Sequence, residues 1–127
     1  MNTNQVRAGI IWSNLPQGVN RRSGPGENYT VIDTIAANTN VIVLCYSQGE
    51  TLTFTTPPFK DHPNGQTNTS SVWDFVVTSD MDPGGFVADV YINTGGDTST
   101  MLGPQNTCGA LVQRVGGQST APGTAPG

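Results

Sequence analysis

Apolar residues recur along this chain either at every second position or in short unbroken runs, and no window carries convincing 3.6-residue helical spacing. Val41-Ile42-Val43-Leu44-Cys45-Tyr46 is apolar without alternation, which predicts a central strand covered on both faces. Further strands are expected at Gly9–Trp12, Val19–Arg22, Tyr29–Ile35, Thr51–Phe54, Val72–Val77, Phe86–Ala88 and Ile92–Thr94, with a 3₁₀ turn at Asp89–Tyr91. The breakers between them are Ser23-Gly24-Pro25-Gly26, Ala36–Asn40, a hairpin turn at Ser47–Glu50, and Thr78–Gly85. Pro25 fixes one φ between two glycines free to take positive φ, so the chain is expected to turn sharply there. Thr55–Ser71 reads as a long polar loop, with a small hairpin turning at Asn64-Gly65. The pattern predicts an all-β protein.

Length and composition narrow this picture. The 127 residues suit one small domain with tails. They divide into a leader over 1–18, where Trp12 belongs to an extra strand, a barrel over 19–94, and a Gly/Thr/Pro-rich tail over 95–127. Sixteen glycines and nine prolines favour short strands joined by turns. Five Lys or Arg and a formal net charge of −4 lack the basic footprint of a nucleic-acid binder. No apolar run approaches the roughly 20 residues that span a bilayer, so no membrane partner is expected. Cys45 ends an apolar strand and Cys108 lies in the tail, without the further ligands of a metal site. They read either as a disulfide tying the tail to the barrel or as two free thiols, one buried and one exposed. The polar start Met1–Gln5 leads into no hydrophobic signal core. A disulfide here would fit a chain that has shed its signal, or a phage product oxidised outside the cell after lysis.

Asn20-Arg21-Arg22-Ser23-Gly24-Pro25 is followed by Tyr29-Thr30-Val31-Ile32, a Val-x-Val-x-Cys strand with Gly49 after it, Trp73-Asp74, Gly85-Phe86-Val87 and Asp89-Val90-Tyr91-Ile92-Asn93-Thr94. In that order these motifs resemble bacterial SH3 (SH3b) domains of actinobacterial and actinophage proteins. Such domains often carry a strand cysteine and a second one near the C-terminus. The likeness covers Val19 to about Thr94. It implies a small, partly open SH3-like β-barrel of five to seven strands with flexible polar termini. The chain departs from the pattern in its longer Thr55–Ser71 loop, in Arg21 where a small β-branched residue is commoner, and in the Trp12 leader.

The candidate ligand-binding residues are Arg22, Tyr29, Trp73, Asp89 and Tyr91. Arg22 either braces the turn by donating to carbonyls or offers its fork of donors to a ligand carbonyl or carboxylate. Tyr29, Trp73, Phe86 and Tyr91 suit a barrel core, and at a groove edge such rings stack on extended peptide. Asp80, Asp82 and Asp89 lack EF-hand spacing and read as turn carboxylates and strand-end caps rather than a calcium site. His62 has no nucleophile placed beside it by sequence and reads as a surface residue. No acid/base or nucleophile pair stands out, so neither catalysis nor a cofactor is expected.

The resemblance therefore implies a non-catalytic, extracellular module that binds cell wall, especially the peptide of peptidoglycan. The alternative is a structural virion protein, decoration or tail-associated, that uses the barrel to assemble with neighbouring subunits. Low charge, abundant Thr, Asn and Gly, and long polar termini favour that alternative. Under either reading the Arg22–Asn28 turn and the Thr55–Ser71 loop should flank one groove, the loop offering hydrogen bonds to peptide or sugar.

Overall fold

The apolar run at Val41 lies in the longest element among the described residues, a 16-residue strand over Asn40–Thr55. A computed structural model describes residues 6–79, 81–95 and 107–109. It contains β1 (Arg7–Ile11), β2 (Val19–Arg22), β3 (Val31–Ile35), β4 (Asn40–Thr55), β5 (Thr67–Val77), β6 (Gly85–Ala88) and β7 (Ile92–Asn93). A three-residue 3₁₀ turn, Asp89–Tyr91, joins β6 to β7. The strands form a single sheet in the order β3-β2-β6-β5-β4-β1-β7, with every neighbouring pair antiparallel. The sheet curls into a half-barrel, leaving β3 and β7 as its edges. Register shifts at Arg21/Arg22, Val43/Cys45 and Gln48/Leu52 supply bends, because an unpaired residue tightens the local twist.

The concave face collects the core. Ile11, Val41, Val43, Val76 and Val87 are fully enclosed, and Val19, Ile35, Tyr46, Val72 and Ile92 complete the cluster. Trp73, Ala88 and Val90 form a second cluster, against which Leu52, Phe54, Phe86 and Tyr91 pack. A disulfide joins Cys45 to Cys108, and Thr107 bridges in parallel to Tyr46 beside it. Among the described residues no helix is long and apolar enough to cross a membrane.

Four local expectations are corrected. β4 is not covered on both faces, since Val41 and Val43 point inward while Ile42 is 38% exposed. Ser47–Glu50 is not a hairpin turn; the strand continues through it, with a register shift between Gln48 and Leu52, to Thr55. Thr55–Ser71 is loop over 56–66 only, and from Thr67 to Ser71 it belongs to β5, paired with β4. The polar residues there are β-branched threonines, whose hydroxyls meet across the strands at 2.8 Å in both Thr53/Thr69 and Thr55/Thr67. Tyr29 lies outside any strand and is 47% exposed. Residues 7–11 of the leader form β1, whereas the expected flexibility of residues 1–5 and of the tail over 96–106 and 110–127, and the reading of Asp80, concern residues outside those described.

Candidate ligand-binding depressions

The turn after β2 is built by side chains at both of its ends. Arg22 Nη1 donates to the carbonyls of Glu27 at 2.9 Å and Tyr29 at 3.0 Å, so the arginine does brace the turn. The expected sharp turn forms, although neither Gly24 nor Gly26 uses its freedom to take positive φ. What Gly24 provides is room, because the Tyr29 ring lies where its Cβ would be. Gly49 does the same on β4, where a Cβ would run into the Pro25 carbonyl. That carbonyl accepts the Glu50 amide at 3.1 Å, and the Glu50 carboxylate accepts the Glu27 amide at 2.6 Å. The residues that looked like a second turn are thus the seat of the first.

Beneath this seat a depression of about 150 Å³ opens between Leu15, Arg22, Glu27, Leu52, Trp73 and Tyr91. Trp73 is 2% exposed, and its ring N–H donates to the Glu50 carbonyl at 2.8 Å, so its edge is fixed by the strand that holds the turn. Tyr91 is half-buried and meets Phe54 edge-on at 5.2 Å. Burial raises the pKa of its phenol, and the charges of Glu27 and Glu50 push the same way against Arg22. The phenol therefore stays protonated and can donate as well as accept. An aromatic floor, a guanidinium and a carboxylate at one small opening suit a peptide backbone with a polar side chain.

Arg22, Trp73 and Tyr91 are therefore brought together, whereas Tyr29 and Asp89 are not. Tyr29 borders the outer side of the turn with Gln48 and Glu50. Asp89 is buried and lines a separate, larger slot with Trp12 and Phe59. The turn and the β4–β5 loop do not flank one groove. β4 continues for five residues beyond Glu50, roughly 17 Å, which carries the loop away. The loop instead rests on Trp12, with the Phe59 ring 5.5 Å from the indole and 4.9 Å from His62, which is half-buried rather than free on the surface.

Sequence reasoning missed the role of Arg21. Its buried guanidinium makes a two-pronged pair with Asp33, at 2.7 and 2.8 Å. It also donates to Asp82 at 2.6 Å and to the Val76 carbonyl at 3.3 Å. Asp82 further accepts the amides of Thr78 and Gly84. Burial pushes the Asp82 carboxyl up, but its bonds from Arg21, Gly84 and Thr78 prevail and hold it well below the usual carboxylate range. Alternation along β2, with Val19 and Arg21 buried and Asn20 exposed, was the signal available.

Among known proteins the chain is similar to two from Bacillus subtilis (strain 168). It is 34% identical over 83 residues to the uncharacterized protein YraI. It is 35% identical over 82 residues to the uncharacterized protein YraJ. Each alignment covers 62% of this chain and 60% of the relative, so the chain spans less than two thirds of the length of the proteins it matches. No family model and no solved structure matches.

Proposed function

We propose that this chain is a non-catalytic, SH3b-like recognition module that acts outside the cell and binds the peptide of bacterial cell wall. The observation that carries the reading is the convergence of Arg22, Trp73 and Tyr91 with Glu27 at one opening, beneath a turn seated on Gly49 and Glu50. Peptide ligands present carbonyls, amides and apolar side chains, and this opening holds a partner for each. The disulfide supports an oxidising location. Purified peptidoglycan sacculi should retain the protein in a pull-down, and Tyr91→Ala should release most of it. Retention unchanged in both Tyr91→Ala and Arg22→Ala would sink this assignment.

A second reading, as an assembly subunit of a virion, is favoured by edge strand β3. Val31 and Ile32 are 44% and 47% exposed on it, an edge open to another chain. Failure to bind sacculi together with incorporation into particles would decide for this reading.

A further inference from the structure

The slot beside Trp12 differs chemically from the peptide-like depression. Its volume is about 320 Å³, within the range of small-molecule sites. Trp12 and Phe59 form one wall, their planes tilted by 37°, and Val90 and Ile92 add apolar surface. Gln66, Asn68 and Asn93 bring carboxamides to the same space. Among the described residues no hydrogen bond engages the side-chain amides of Gln66 or Asn68. Asn93 Oδ1 accepts the Gly95 amide at 3.2 Å, which leaves its NH₂ to donate. Among the described residues no Lys or Arg lines the slot, and the carboxylate that does, Asp89, is buried.

We propose that this slot binds a neutral pyranose unit of an oligosaccharide. A pyranose ring is apolar across its C–H face and edged by hydroxyls that both donate and accept. Aromatic walls match the first property and carboxamides the second, because each carboxamide carries donors and an acceptor in one group. Among the described lining residues a phosphate or sulfate would find no Lys or Arg, and Arg7, which reaches the rim, donates to the Thr94 carbonyl. The site is separate from the peptide-like depression and does not depend on it.

Calorimetric titration of the full, oxidised chain with cellotetraose and with chitotetraose tests this. At least one of these neutral sugars should bind, with little dependence on salt, since no ion pair forms. Trp12→Ala and Asn68→Ala should each weaken binding roughly tenfold, the worth of one well-made contact. Arg22→Ala should leave sugar binding unchanged. Binding should also perturb indole fluorescence, and Trp12→Phe should abolish that signal because Trp73 is enclosed. The proposal is overturned if neither sugar binds, if binding survives both Trp12→Ala and Asn68→Ala, or if Arg22→Ala removes it. Should Trp12→Ala fail to fold by circular dichroism, Asn68→Ala alone decides.

Discussion

Arg21 ties β2 to β3 through Asp33, to β5 through the Val76 carbonyl, and to the turn before β6 through Asp82. Removing such a buried cation leaves Asp82 enclosed beside an empty space, so Arg21→Ala should cost about 3–5 kcal/mol in chemical denaturation. The same pair sets an acid limit. An Asp in the unfolded chain titrates near pH 4, and Asp82 in the fold titrates lower. Its contribution is therefore complete above about pH 4 and is lost as pH falls through the folded value. Asp82→Asn should lower stability at neutral pH and flatten the acid limb of a stability–pH profile. An unchanged limb would mean that other carboxylates govern acid unfolding. Trp73→Ala should cost about 3–5 kcal/mol, as for other enclosed aromatics, and a loss under about 1 kcal/mol would place the ring at the surface.

At the scale of elements, the β4–β5 hairpin both organises the fold and divides the candidate sites. Gly49→Val should push the Pro25 turn from its seat at a cost of about 1–3 kcal/mol and weaken sacculus binding with it. Inserting Gly-Ser after Pro63 should change stability by less than about 1 kcal/mol, because loop closure depends weakly on length. A larger loss would show that the loop's packing on Trp12 supports the core. What could be read from sequence follows from this hairpin. Alternating or unbroken apolar runs revealed the all-β class and placed β1, β2, β6 and the 3₁₀ turn closely. The threonine ladder and Ser47–Glu50 were misread because polarity stood in for irregularity. Their polar groups serve cross-strand hydroxyl pairs and a tertiary seat, and neither leaves a local trace. Arg22 and Trp73 were legible as candidates from their motifs, whereas the slot draws on positions from Trp12 to Gly95. No short sequence window brings those residues together.

For the molecule as a whole, the Cys45–Cys108 bridge closes a separation of 63 residues. On the chain-entropy account it stabilises by about 4 kcal/mol, so Cys108→Ser should lower the unfolding free energy by about that amount. Intact mass should rise by two hydrogens on reduction, and free-thiol labelling of both cysteines in the untreated protein would contradict the bridge. Near this bridge β4 is flanked by β1 on one side and β5 on the other, but from Gln48 to Thr55 β5 is its only strand partner among the described residues. Opening the far end of the hairpin breaks one ladder, while opening the near end requires the sheet itself to separate. Deuterium should therefore enter the backbone amides in a gradient along this one strand. It should be slowest around Val41 and Val43, at rates set by global unfolding, and faster towards Phe54. The two candidate sites then differ in time as well as chemistry, because the slot beside Trp12 borders the end that opens most often.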